Sequence, residues 1–397
     1  MKFDLRSFFI SISILFLSFM IGLYGARFIY YYKSENKQKS TNYNIYEYYI
    51  EKESIAKNNL IEENKNYYFY KNNQNNYLYY SGLLYRILYI NENFLYVITD
   101  ESITNLKYGE NESYNTSNVK KWLEEVYLKN INDKYLKNKE VSLLDIETFN
   151  KIGKEKSNIL NNDFWALKDN KALVITENGK ITKTNNYSDF LSVRPVIKLD
   201  SNSIIVSGTG TKTNPIIIEK RTKKTLNDLY VGEYINYKNN KYRIIEKNND
   251  YVKVLSLNKL KEQKIFSNYT NDYNLKYKNN LATYLNKTYI KNFNEKDLVK
   301  INYYIGEYNL DYEETLKEKV NTYIGLLKIG DYFINNIKNS YTLTKNKNGI
   351  YMINEKGLLY IEDIDKKLDV YPVLAFNKNK NIISGNGLIN NPYVVGE

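Results

Sequence analysis

Histidine and cysteine are both absent from the 397 residues. Imidazole bases, Ser-His-Asp triads, His- or Cys-ligated metals, thiolate nucleophiles, iron–sulfur clusters and disulfides are therefore excluded. Any chemistry must come from Asp, Glu, Lys, Arg, Tyr, Ser or Thr. Glu124 with Glu125, and Asp163 with Asp169, are the candidate carboxylate pairs for glycoside cleavage, where one acid and one base flank the bond. Acids are common enough in this chain for such pairs to arise by chance. Lys212 lies in SGTGTKTNP, which is glycine-rich but lacks the G-x-x-x-x-G-K-[ST] spacing of a phosphate loop and leads into no helical pattern. A turn before a strand is the better reading. Trp122 and Trp165 are candidate stacking platforms, with core packing as the favoured alternative. Arg86, Arg243 and Arg194 are candidate anion binders, with a buried ion pair as the favoured alternative. No catalytic, cofactor or metal role is assigned to any residue, and the ligand-binding residues stay unassigned.

These residues belong to elements that occur twice. The chain has 4 prolines, and all fall into one pattern used twice. VRPVIKLDSNSIIVSGTGTKTNPIII holds Pro195 and Pro215, and VYPVLAFNKNKNIISGNGLINNPYVV holds Pro372 and Pro392, both 177 residues later. Gly208, Gly210 and Asn214 match Gly385, Gly387 and Asn391 at the same offset. Upstream, Tyr85 and Arg86 match Tyr242 and Arg243 at an offset of 157. Val119, Trp122, Leu123 and Tyr127 match Leu281, Tyr284, Leu285 and Tyr289 at 162, with the spacing of an amphipathic helix. Ser117 is a plausible cap for the first of these helices. Leu143, Leu144, Ile146 and Phe149 match Leu326, Leu327, Ile329 and Tyr332 at 183. Glu177 and Gly179 match Glu355 and Gly357 at 178, inside strand–turn–strand patterns. The jumps place a 5-residue gain before the helix of the second copy and a 21-residue gain after it. Such changes belong in loops.

Ser7 to Ala26 carries no charge and matches the roughly 20 residues needed to span a bilayer as a helix. No A-x-A-like cleavage site follows, so an uncleaved signal anchor is expected rather than a signal peptide. Cations flank both ends (Lys2 and Arg6, then Arg27 and Lys33), so the positive-inside rule is nearly balanced. A short tail before a large body favours the body outside. The net charge of +12 and pI near 9.1 suit acidic partners, although the abundance of Lys, Asn, Ile and Tyr also fits AT-rich codon usage. The expected organisation is a tail at 1–6, the anchor at 7–26, a stalk that a helix could form at 27–71, a first domain at 72–219, a linker at 220–225 and a second domain at 226–396. Each domain reads as α+β.

The repeated motifs also carry a family resemblance. LLYRI, a helix with WL, FWAL, a hairpin with ENG, VRPVI and SGTGTKTNP resemble a domain of unknown function common in Gram-positive surface proteins. That domain looks related to the C-type-lectin-like group, which includes the formylglycine-generating enzymes. The second copy is degenerate: Tyr284 stands for Trp122, Tyr341 for Trp165 and Tyr371 for Arg194. The resemblance implies a scaffold but neither relative's activity. The enzymes use a cysteine pair, and the Ca²⁺-dependent lectins use EPN, QPD and WND motifs; this chain has none of these.

The expected protein is thus a single-pass membrane protein bound to the bilayer through residues 7–26, with tandem C-type-lectin-like domains outside the cell. The expected function is non-enzymatic binding of an acidic envelope polymer or a protein, with no cofactor and no nucleic acid. The alternatives are a carboxylate-based enzyme acting on glycans and a structural spacer in a surface assembly. An apolar, Tyr-lined concave patch shared between the copies favours binding, two carboxylates about 5–10 Å apart in a deep cleft favour the enzyme, and a flat surface with a large interdomain contact favours the spacer.

Overall fold

Short runs of Tyr, Ile, Val and Leu, broken by Asn, Lys and Gly, suit a pleated, half-buried surface better than a helix. The computed structural model accordingly shows an α+β chain, mostly sheet with few helices, over residues 43–52, 59–71, 75–310 and 318–396. The expected anchor at Ser7–Ala26 lies outside these residues. Among the described residues no helix is long and apolar enough to cross a membrane.

The first half contains β1 (Leu60–Glu63), β2 (Asn66–Phe69), β3 (Tyr77–Tyr80), β4 (Leu83–Ile90), β5 (Phe94–Thr99), β6 (Thr104–Lys107), β7 (Leu136–Ser142), β8 (Phe164–Lys168), β9 (Lys171–Ile175), β10 (Ile181–Thr182), β11 (Phe190–Val193), β12 (Val196–Asp200) and β13 (Ile216–Ile217). Helix α1 (Asn118–Trp122) starts where the Ser117 side chain accepts from the Lys120 amide at 3.0 Å, and it continues as a wider π turn over Leu123–Tyr127. Helix α2 (Ile146–Lys151) is capped in the same way by Asp145. One sheet runs β1-β2-β4-β5-β12-β7, with β3 on β4 and β13 on β3; a second runs β10-β9-β8-β11-β6.

The second half contains β14 (Tyr234–Tyr237), β15 (Asn240–Lys247), β16 (Tyr251–Ser256), helix α3 (Leu281–Lys287), β17 (Ile301–Tyr304), β18 (Lys319–Thr322), β19 (Ile324–Gly325), β20 (Ser340–Asn346), β21 (Gly349–Ile353), β22 (Leu359–Glu362), β23 (Val373–Asn377), β24 (Ile382–Ser384) and β25 (Tyr393–Val395). Its main sheet runs β19-β23-β16-β15-β14-β25-β24.

The two main sheets share one plan down to single residues. The order β12-β5-β4-β3-β13 has the same directions as β23-β16-β15-β14-β25, including the parallel last pair. Arg86 lies opposite Tyr77, and Arg243 opposite Tyr234. The register slips after Ile87 in one sheet and after Ile244 in the other. The carbonyl of Pro195 accepts from Thr99 and that of Pro372 from Ser256. The glycine turns also coincide. A Cβ on Gly208 would meet the Pro215 carbonyl oxygen at 1.9 Å, and one on Gly385 the Pro392 oxygen at 2.2 Å; both glycines have φ near +100°. Only glycine fits such a place.

The expected stalk at 27–71 is corrected from residue 43 onward. Ile45 and Tyr49 are fully buried in the core, and burial of side chains this size is worth about 1.5–3 kcal/mol each. Strands β1 and β2 extend the first sheet across the end of β4. The Ile45 and Tyr46 amides donate to Ser203 and Ser201, as those of Leu226 and Asn227 donate to Lys380 and Lys378. Asn44 and Glu47 cap each other, as Thr225 and Asp228 do. The first copy therefore begins near Tyr43, and the β1–β2 hairpin is an insertion that the second copy lacks. The same bonds draw residues 224 and 225, expected as linker, into the second copy.

One hydrophobic cluster runs through both halves, from Ile45 to Val395, and a smaller one fills the first half between its sheets and α2.

Candidate functional site

The copies meet around a polar cleft of about 780 Å³. Its wall from the first copy is the end of the helix that follows α1, with Glu125, Val126, Lys129 and Asn130. Its floor is the turn-side half of β15 and β16, with Glu246, Lys247, Tyr251 and Lys253. Its far wall is the β17–β18 hairpin, with Lys300, Tyr303, Tyr304 and Lys319. That hairpin is the 21-residue gain seen in the sequence.

The fourth side is the loop 328–332, carrying Lys328 and Asp331, and the first copy holds it in place. Trp122 Nε1 donates to the Gly330 carbonyl at 2.8 Å, and its ring lies 5.3 Å from that of Tyr332. The Thr104 hydroxyl donates to the Asp331 carbonyl at 2.9 Å. Beside the loop, Arg243 pairs with Glu101 across the domain boundary and stacks on Phe333. The helix stripe of the first copy thus positions charged groups of the second.

At the floor, Lys253 Nζ lies 3.1 Å from Glu246 and 3.7 Å from Asp331, and Tyr251 donates to Glu246 at 2.6 Å. Burial alone would pull the Lys253 ammonium down, but Asp331 and Glu246 outweigh it and hold this pKa well above the usual lysine value. Burial would raise the Glu246 carboxyl, yet Lys253 and Tyr251 keep it below the usual range. Its side chain retains 40% exposure because it faces the water of the cleft. Lys328 is pulled down, first by burial and then by Lys253, against the opposing pull of Asp331 and Glu246. The two residues that face each other across β15 and β16, Glu246 and Lys253, stand where the first copy has Tyr89 opposite Tyr96. Those tyrosine rings pack 4.9 Å apart. The second copy has exchanged an aromatic pair for an ion pair at its cleft.

Most residues singled out in the sequence lie elsewhere. Trp122 and Trp165 are fully buried and offer no free face; Trp165 donates to the Leu106 carbonyl at 2.9 Å. Arg86 pairs with buried Glu155 inside the first copy. Arg194 gives its donors to the carbonyls of Thr99, Asp100 and Ile159, and burial lowers its pKa to about 10. Lys212 lies 2.9 Å from Asp100, so its ammonium ties the turn down. Glu124 pairs with Lys120 one helical turn away. Asp163 accepts from the Glu177 amide, and Asp169 sits in a left-handed turn. Of the four carboxylates, Glu125 alone lines the cleft. The cleft lysines and Asp331 have no motif of their own. Lys300 and Lys319 lie within the stretch marked by the offset jump from 162 to 183, and Lys253 stands at the repeat position of Tyr96, whereas Lys328 and Asp331 carry no such mark. Among the described residues no three carboxylates cluster as a metal site. No known family model, curated protein or solved structure matches this chain.

Proposed function

We propose that this chain is a single-pass, membrane-anchored binding protein of the cell envelope, with two C-type-lectin-like domains outside the cell and an anionic envelope polymer as its ligand in the interdomain cleft. The anchor rests on the uncharged Ser7–Ala26 stretch, and the scaffold on the repeated motifs. The observation that carries the binding reading is the Glu246–Lys253 pair in place of Tyr89–Tyr96. An ion pair set into a concave, polar site is a weak contributor to stability compared with packed rings, so selection for binding explains it better. Six lysines face four carboxylates in the cleft lining, which leaves a positive balance for an anion.

The same geometry argues against glycan cleavage. That chemistry needs one carboxyl held protonated and one ionised. Lys253 stands beside both Glu246 and Asp331, and Glu246 is shifted toward the ionised form. A spacer would want a flat junction, and this junction is hollow.

The test is direct binding of poly(glycerol phosphate) to the full-length chain in detergent micelles, against a neutral glucan of similar length. Binding should be salt-sensitive, absent for the glucan and at least tenfold weaker in the double variant Lys300→Glu, Lys319→Glu. Equal affinity for both polymers, or no loss in the variant, would rule the reading out.

A further inference from the structure

One face of this fold is closed by different means in the two copies. In the second copy the residues after the loop 328–332 are covered by the first copy: the Phe333 amide donates to the Ile103 carbonyl, and Asn336 donates to Glu101 at 3.5 Å. The matching segment of the first copy includes and follows α2, since the carbonyls of Leu144 and Leu327 accept from the Leu167 and Leu343 amides in the same way. There the Glu155 amide donates to the Tyr70 carbonyl at 3.3 Å, Lys151 pairs with Glu63 at 3.1 Å, and the Tyr70 ring lies against Gly153. The β1–β2 hairpin and the residue that ends it thus fill, in the first copy, the place that the first copy fills in the second.

The backbone shows which copy depends on its cover. In both, a left-handed residue leads into a short 3-10 turn: Gly153 at φ +51° and Phe333 at φ +63°. A bulky L-residue stays in that conformation only where its surroundings over-determine it. For Phe333 the first copy supplies part of those surroundings. Ile103 accepts from its amide, and its ring lies under Arg243, which Glu101 holds from across the boundary.

The reverse dependence is missing. The face that the first copy presents is set within its own sheet, where the Ile103 amide donates to the Val193 carbonyl at 3.0 Å and Asn105 pairs with Ser192 between β6 and β11. From that face the Thr104 hydroxyl donates to the Asp331 carbonyl and the Asn105 amide group to the Gly357 carbonyl, both at 2.9 Å. In the second copy the Leu260 amide makes the matching bond, to Val370, and the residues that follow it are Lys261 and Glu262, both exposed. A charged outer face of this kind ends a stack of like domains.

We infer that the two domains depend on each other in one direction only: the first holds its shape by itself because its hairpin stands in for a neighbour, and the second holds its shape only against the face made by Ile103, Thr104 and Asn105. The cleft, with the loop 328–332 as one side, therefore forms only on a folded first domain. Val97 and Val254 allow a matched test. They stand at the same place in the two main sheets, 157 residues apart, and both are fully buried. Hydrogen exchange of the full-length chain in mild urea is followed by mass spectrometry for Val97→Ala and Val254→Ala. Val97→Ala should speed exchange at least about fivefold in both main sheets, and Val254→Ala in the second alone. Faster exchange confined to the altered copy in each variant would show independent domains, and faster exchange in both sheets for both variants would show one cooperative unit; either result overturns the inference. A third variant, Thr104→Lys with Asn105→Glu, gives the first copy the residues that the second carries. It should speed exchange over 329–336 and through the second main sheet while leaving the first main sheet unchanged. An unchanged second sheet would overturn the inference even where Val97→Ala fails to fold.

Discussion

Replacing Lys253 with Met removes the ammonium that pairs with both Glu246 and Asp331 while keeping the side-chain stem. Asp331 has only 11% side-chain exposure, so its charge would lose this ion pair without gaining much water, and would keep the Lys328 amide at 3.0 Å and the nearby Lys328 charge. Breaking a buried pair from one side costs about 3–5 kcal/mol. Glu246, at 40% exposure, can recover part of its hydration in the cleft, which reduces the expected loss to about 2–3 kcal/mol. For a domain of this size that corresponds to a melting temperature lower by about 4–10 °C. The dependence on pH is equally specific. Glu246 is held below its ordinary value of 4.5, so its stabilisation is complete above that pH and fades as the pH falls through the lower folded value. Lys253 is held above 10.5, so its stabilisation is complete below that pH and fades only as the pH rises through the folded value. Calorimetry of the full chain in micelles should therefore show the widest gap between parent and variant from about pH 5 to 10, narrowing in stronger acid. A variant that melts with or above the parent at pH 7, or a gap that does not change with pH, would show that Lys253 does not stabilise the two carboxylates.

Three further outcomes follow from the same structure. Gly208→Ala should lower the melting temperature by several degrees, because its Cβ would strike the Pro215 carbonyl at a positive φ; Thr209→Ala next to it should not. Glu155→Gln should cost about 3 kcal/mol by leaving Arg86 buried without its close partner, and the double change Arg86→Met, Glu155→Leu should recover most of that in urea unfolding. Glu101→Gln should cost about 1 kcal/mol or less but speed hydrogen exchange at residues 333–336, which the Arg243 pair holds against the first copy; unchanged exchange would contradict that role.

The repeat was legible because its markers are backbone devices. Proline and positive-φ glycine are dictated by local geometry, so Pro195, Gly208 and Pro215 recur wherever the same turn recurs. The stripe through Val119, Trp122 and Tyr127 was legible for the same local reason, a 3.6-residue period. The start of the first copy was not. Its segment 43–47 shares no motif with 224–228 beyond the capping pattern, and the β1–β2 hairpin separates it from β3. Its place in the fold depends on backbone bonds to residues 201–205, which any side chain permits.

What the sequence determined by itself is what local chemistry and composition dictate: the excluded reactions, the twofold plan, the turns and the amphipathic helix. The tertiary structure decided the rest. It buried both tryptophans, and it gave Arg86 a partner within its own domain but Arg243 one from across the boundary. It also brought Glu125, Lys253, Lys300 and Asp331 around one cleft, although they are spread over more than 200 residues. The physical reason is that a turn or helix is specified by neighbours in the chain. A charge environment is specified by whatever the packing of distant strands brings within a few ångströms, and identical positions in two copies meet different neighbours.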